Sequence, residues 1–336
     1  MVNRIYTYSQ LSASSAAELV AAKYAIQGPL RGKFYMLGLH DNYLLESPES
    51  RYILRIYRND WRSPEHVYFE LELLACLRER NVPVAWPMST IDGELSFRVE
   101  SPEGERIATL FHYAAGRAPA DSISTDDCVV LGRTVANVHH EAETFRSDHA
   151  RPALDLHYLV DESIMAIRPF LESDAQSYVD GLQKGLRLSW PDIPREPGMF
   201  GICIGDVNPT NFHITSDRAI TLFDFDQCGF GFRAFEIAKF ASSLRSHSMK
   251  RALVCAFLNG YQERRVLSRV EREAIPYFEM VAHLWVMAIH VENVNRIGYK
   301  RLEKPYWDRS LAILKELEAQ RGAPADIGAD APPGRT

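Results

Sequence analysis

Residues 201–240 read GICIGDVNPTNFHITSDRAITLFDFDQCGFGFRAFEIAKF. A short strand ends at Ile204, a polar turn carries Asp206, Asn208 and Asn211, a second strand from Ile220 to Phe223 delivers Asp224, and Gly229 and Gly231 follow. Phosphoryl transfer needs a carboxylate to take the proton of an attacking hydroxyl, and oxygen ligands that hold magnesium against the transferring phosphate. Asp206 fits the first role; Asn211 and Asp224 fit the second. One Asp and one Asn suffice, because Mg²⁺ is usually held by only one or two carboxylates, with substrate phosphates and water completing its shell. Alone, Asp206 and Asn211 would be an ordinary polar turn. Asp224 arriving from the adjoining hairpin is what turns the motif into a candidate site.

Upstream, the spacing predicts a helix from Ala13 to Ile26, stopped at Gly28-Pro29, and then strands at Lys33 to Leu37, Asn42 to Glu46, Tyr52 to Tyr57, Glu94 to Val99 and Arg106 to His112. A helix after Ser63-Pro64 runs to about Arg80, with Val67, Leu71, Leu74 and Leu77 on one face and Glu70 beside that stripe. Downstream, helices are predicted at Asp127 to Glu143, Leu156 to Leu171, Ala175 to Leu188, Phe235 to Leu244, Met249 to Gln262, Pro276 to Asn295 and Pro305 to Gln320. The expected division is a first lobe over 1–112, a helical lobe over 113–320 that holds the loops and an acceptor pocket, and a disordered tail over 321–336, rich in Gly, Ala, Pro and Asp.

G-D-x-x-x-x-N followed by a strand ending in D-F-D resembles the aminoglycoside phosphotransferase and choline kinase superfamily over roughly residues 15–315. The strand LRIYR, the helix ELELLACLRERNVPVAWP and the late HLW segment look closest to its homoserine-kinase and stress-kinase branch. The resemblance implies an α+β, two-lobed protein-kinase-like fold: a small antiparallel-sheet lobe with one key helix, and a larger, mainly helical lobe. It implies ATP and Mg²⁺, with Asp206 as catalytic base and Asn211 and Asp224 as metal ligands. In the first lobe it places Arg55 where the family's third strand contacts ATP phosphates, and Glu70 as that cation's carboxylate partner. The turn Gly38, Leu39 to Asn42 would cover the phosphates, and Leu110, Phe111, His112 and Tyr113 would offer adenine their backbone groups. The sequence departs from the family at Ile204, where His is usual, and at Glu236, where Asp is usual.

The implied activity is transfer of the γ-phosphate to a hydroxyl of a small molecule, an antibiotic or a metabolite. Two alternatives stand beside it: a nucleotide-binding regulator without turnover, prompted by Ile204 and Glu236, and a stress-response Ser/Thr protein kinase. Only eleven residues separate Asp224 from Glu236, which leaves no activation-loop pattern. Which acceptor is used, and the oligomeric state, are not legible. His139 and His140 are expected to pack or cap a helix; His283 and His290 share a helix face that, with Glu292 and Asn293, either walls the acceptor or packs into the core.

Composition narrows the classes further. The 336 residues carry a net charge of −6, which gives no basic field for nucleic acid or an anionic membrane. The five cysteines show no metal-binding spacing and read as reduced thiols. No stretch approaches the roughly 18 apolar residues of a membrane span, and the N-terminus lacks a signal-peptide pattern, so a cytoplasmic protein without membrane or nucleic-acid partners is expected.

Overall fold

The computed structural model describes residues 6–190 and 192–320; the segment expected as a disordered tail, 321–336, lies outside the described residues. The chain forms two compact units. One holds residues up to Gly116 together with Phe145–Arg151 and Thr221–Phe223; the other holds the rest.

In the first unit, α1 (Ala13–Lys23) is capped by Ser12, whose hydroxyl accepts the N–H of Ser15. Strands β1 (Arg31–Leu37), β2 (Asp41–Glu46), β3 (Arg51–Ile56), β4 (Phe97–Ser101) and β5 (Gly104–His112) form an antiparallel sheet in the order β1-β2-β3-β5-β4. Val20 of α1 and Tyr24, the residue just after it, pack with Tyr43, Leu45, Leu54 and Leu110 of the sheet. Burying each such aliphatic side chain contributes about 1.5–3 kcal/mol. Gly32 lets the helix approach, since a Cβ there would lie 2.2 Å from the Ala13 carbonyl oxygen. Helix α2 (Pro64–Glu79) begins with proline behind the Ser63 cap. β4 starts later than the expected Glu94, because Thr90 and Glu94 close a turn through backbone and side-chain bonds, with Gly93 at positive φ.

The second unit is mainly helical: α3 (Thr125–Glu141), α4 (Ser163–Ile167), α5 (Ser173–Leu188), α6 (Arg233–Ser243), α7 (Lys250–Gln262), α8 (Arg269–Glu292), α9 (Val294–Ile297) and α10 (Lys304–Gln320). Short strands interrupt it: β6 (Phe200–Cys203) pairs antiparallel with β9 (Gly229–Phe232), β7 (Phe212–Ile214) lies between them in sequence, and β8 (Ile220–Leu222) leads from this unit into Thr221–Phe223 of the first. Helices α3 and α7 cross at near backbone contact: a Cβ on Gly132 would lie 2.0 Å from the Phe257 carbonyl oxygen, and one on Gly260 1.9 Å from that of Val129.

Three helical expectations need correction. The single helix expected from Leu156 to Leu171 is a π turn at His157–Glu162, then α4, then a 3-10 turn at Arg168–Phe170 that contains Pro169. Helix α8 starts at Arg269 rather than Pro276, because Ser268 and Glu271 form a reciprocal capping box. Pro276 sits inside and forfeits one bond to the carbonyl four residues back. Helix α8 is also apolar enough to match a membrane span, with mean hydropathy 1.3 over an 18-residue window, contrary to the expectation that no stretch comes near. Of that window 72% is buried inside the protein, which is where its apolar surface goes.

Candidate active site

In the second unit, β6 carries the chain to Ile204, and Gly205 then takes a left-handed conformation at φ +85°. A Cβ at Gly205 would lie 2.1 Å from the Gln227 carbonyl oxygen, so the glycine lets the turn after β6 lie directly on the loop 224–228. Asp224 opens that loop, half-buried and itself left-handed at φ +63°. A non-glycine residue held there costs energy that the surroundings must offset, and such residues cluster at functional sites.

The turn is braced by its own side chains. Asp206 Oδ2 accepts the amide N–H groups of Asn208 at 3.1 Å and Asn211 at 3.0 Å. The same two amides reach the Asp206 backbone carbonyl. Asn208 Oδ1 accepts the N–H of Thr210 at 2.8 Å. Asn211 therefore turns its amide nitrogen toward Asp206 and leaves its amide oxygen to face elsewhere.

Helix α6 holds the turn at two points, three residues apart and hence on one face. Glu236, fully buried in the first turn of the helix, accepts the N–H groups of Ile204 and of Gly205, the latter at 3.0 Å. One turn later, Lys239 donates to Asp206 Oδ1, its side chain 8% exposed against 31% for the aspartate. Behind Glu236 lies His139 of α3, with Nε2 3.5 Å from the carboxylate and Nδ1 2.8 Å from the Tyr261 hydroxyl. Arg233 donates to the His139 carbonyl at 3.1 Å.

Burial pushes the Glu236 carboxyl up to about 7, against the lowering effect of the two N–H donors and Lys239. Burial, helped by Arg233, drives the His139 imidazole well below its ordinary range. The His139–Glu236 contact is accordingly that of a neutral imidazole beside a carboxyl, not a full ion pair. His139, Cys203 and Glu236 have ligand-type atoms within 4.8 Å of one another. Both Glu236 oxygens already accept backbone N–H groups, so the cluster is a buried brace for the turn.

In the first unit, Arg55 on β3 donates to Glu70 of α2 at 3.2 Å and to Asn42 of β2 at 3.3 Å, and the Tyr57 hydroxyl donates to the second Glu70 oxygen at 3.2 Å. Both partners are buried, with side chains 11% and 1% exposed. Asn42 also donates to the His40 carbonyl at 3.4 Å, and Gly38 N–H to the same carbonyl at 3.2 Å, so the turn Gly38, Leu39 to Asn42 closes on itself. The adenine expectation is narrowed. The N–H groups of Leu110, His112 and Tyr113 donate to the Tyr24 hydroxyl, Trp86 carbonyl and Arg51 carbonyl, the Leu110 carbonyl accepts the Met88 N–H at 2.8 Å, and Phe111 pairs with Ile53 of β3, so much of the segment's backbone is already engaged.

Each expected residue is thus placed. Asp206 and Asn211 bond to each other directly, the loop carrying Asp224 lies against Gly205, and Arg55, Glu70 and Asn42 form one cluster. His283 and His290 are turned to other work: the first meets the Ser310 carbonyl at 3.1 Å and the second the Tyr306 hydroxyl at 2.9 Å, tying α8 to α10. Burial lowers both imidazoles, His283 to about 4. Lys239 escaped the sequence reading. Its signal was its place one helical turn after Glu236.

Residues 37–272 match the profile of the phosphotransferase enzyme family. An uncharacterized protein of Synechocystis is 36% identical over 312 residues, covering 92% of this chain and 86% of its own. A homoserine kinase of Rhodopseudomonas palustris is 26% identical over 306 residues, covering 86% of this chain and 87% of its own. Among solved structures, an amicoumacin kinase in complex with AMP-PNP and Ca²⁺ superposes with a TM-score of 0.77 at 18% identity, covering 92% of this chain and 94% of that one.

Proposed function

This chain belongs to the phosphotransferase enzyme family, and from that premise we propose that it transfers the γ-phosphate of ATP to a hydroxyl of a small molecule. The observation that carries the reading is the Asp206 carboxylate, oriented by two asparagine amides and a buried lysine in a turn that helix α6 clamps from below. Such over-determined orientation is what a general base needs. Asp206 takes the proton of the acceptor hydroxyl while that oxygen bonds to the γ-phosphorus; the bond from phosphorus to the bridging oxygen breaks, and ADP leaves.

The donor set suits Mg²⁺: an amide oxygen of Asn211 turned away from Asp206 and a half-buried Asp224 carboxylate are both hard oxygen ligands. When bound, the metal neutralises phosphate charge; Asn211 and Asp224 would hold it. In the first unit we assign Arg55 to the phosphates and Glu70 to its orientation, because a guanidinium can grip a carboxylate and a phosphate at once. Gly38 and Leu39, next to Asn42, would lie over the phosphates, and the end of the Leu110 to Tyr113 segment, with the His112 and Tyr113 carbonyls, would meet adenine.

The regulator reading rested on Ile204 and Glu236. Glu236 still bonds both N–H groups of the turn, and Ile204 needs only its backbone for that bond. Neither departure removes a proposed catalytic group. The test is phosphate transfer from γ-labelled ATP to a panel of hydroxyl compounds, with Asp206→Ala as control. Nucleotide binding without transfer to any of them would overturn the reading in favour of a regulator.

A further inference from the structure

Beside the turn, the second unit has a cleft of about 610 Å³, lined among others by Asn208, Thr210, Lys239, Ser243, Ser246 and His247. The size suits a small ligand, since pockets for such molecules run from about 300 to 1,000 Å³. The Asn208 amide and the Thr210 and Ser243 hydroxyls already bond within the chain, so the lining's offer to a ligand is the Lys239 ammonium, the His247 imidazole and the hydroxyls of Ser246 and Ser248. None of the ten residues lining it is an aspartate or glutamate.

The carboxylate geometry points the acceptor to this cleft. An ionised carboxylate accepts at about four positions. On Asp206 the two at Oδ2 are taken by Asn208 and Asn211, and one at Oδ1 by Lys239. The remaining position is on Oδ1, the oxygen that Lys239 touches, and Lys239 is itself part of the cleft wall. A hydroxyl hydrogen-bonded there reaches the base from the cleft.

The charge of the wall then restricts the rest of the molecule. An ammonium on the acceptor would sit near Lys239, with the nearest carboxylate already paired, and like charges at close range are costly. An acidic group finds donors instead. His247 Nδ1 accepts the N–H of Met249 at 3.1 Å, so the ring's proton resides on Nε2 and can be donated. The exposed hydroxyls of Ser246 and Ser248 stand on either side in sequence.

We infer that this cleft is the acceptor site and that it takes a small hydroxyl compound carrying an acidic group, rather than an amino alcohol or an aminoglycoside. The inference rests on the proposed kinase activity and specifies its substrate class. The test measures ADP release and phosphate transfer from MgATP with D-glycerate, glycolate and 4-hydroxybutyrate, with ethanolamine, 1-amino-2-propanol and kanamycin, and with glycerol. It is repeated in Ser246→Asp and, in case that variant misfolds, His247→Ala, with nucleotide binding by calorimetry alongside. The acids are expected to be phosphorylated at least tenfold faster than the amines or glycerol. Ser246→Asp is expected to raise KM for the acids at least tenfold, and His247→Ala several fold, with ADP affinity held within about twofold. A preference for amines or glycerol, or an acid KM that neither variant moves, would overturn the inference while leaving the kinase reading intact. Transfer to no compound, with nucleotide still bound, would remove the kinase reading and this inference with it.

Discussion

At the scale of single residues, the site turns on how the carboxyls of Asp206 and Glu236 and one lysine share a single turn. Asp206→Ala is expected to lower kcat by about 10² to 10⁴ fold, the usual worth of a positioned base, while nucleotide affinity stays within a few fold. Stopped-flow or steady-state ADP release measures the first and calorimetry the second. Glu236 gives a pH prediction with a definite sign. Its carboxyl is pushed up to about 7 in the fold from an ordinary 4.5, so between those values the folded chain keeps a proton that the unfolded chain has released. Stability from this group is therefore complete below about pH 4.5 and lost as pH rises through 7. His139, Cys203, Lys239 and Asp206 face or influence the same carboxyl, and His139, lowered by burial, titrates in the opposite sense. Comparison with Glu236→Gln cancels those neighbours to first order. The melting temperature of the natural protein should fall relative to that variant between pH 5 and 7.5; a constant difference would show that Glu236 does not titrate there.

At the scale of elements, what matters is how backbone passes close to backbone. Gly205 is both left-handed and within a Cβ radius of the Gln227 carbonyl, so Gly205→Ala must separate the turn after β6 from the loop 224–228. It is expected to cost at least about 1–2 kcal/mol from the backbone conformation alone, with loss of transfer activity. Gly185, inside α5 with open space around it, should behave oppositely: Gly185→Ala is expected to stabilise by about 0.5–1 kcal/mol. Denaturant midpoints for the two variants test both signs at once. Helix α2 and strand β3 meet through Glu70 and Arg55, both buried. Glu70→Ala should leave a buried guanidinium poorly oriented, raising KM for ATP several fold with less effect on the acceptor's KM. Equal effects on both substrates would dissociate this pair from the nucleotide.

At the scale of the whole molecule, nucleotide and metal should stabilise the fold by mass action. ADP with Mg²⁺ is expected to raise the melting temperature more than ADP with chelator, and Asp224→Asn should shrink that gap; a gap unchanged by the variant would exclude Asp224 as a ligand. The sequence by itself determined much of this architecture. The short strand-like runs of β1, β2, β3 and β5 and the period-3.6 stripe of α2 are local patterns, and the G-D-x-x-x-x-N…D spacing lies within one 20-residue stretch, so Asp206, Asn211 and Asp224 could be read without a fold. The ends of α8 and the break after His157 were misjudged, since a capping box outweighs an internal proline, and π and 3-10 turns leave no periodic trace. Only the tertiary structure decided that Lys239 meets Asp206, that Glu236 rather than a histidine at 204 bonds the turn, and that His283 and His290 bond to α10. Those contacts join residues 27 or more positions apart for Lys239, Glu236 and His283, and 16 for His290. Which face of a helix meets which loop is fixed by packing across the unit, and no sequence window of helical or strand length contains it.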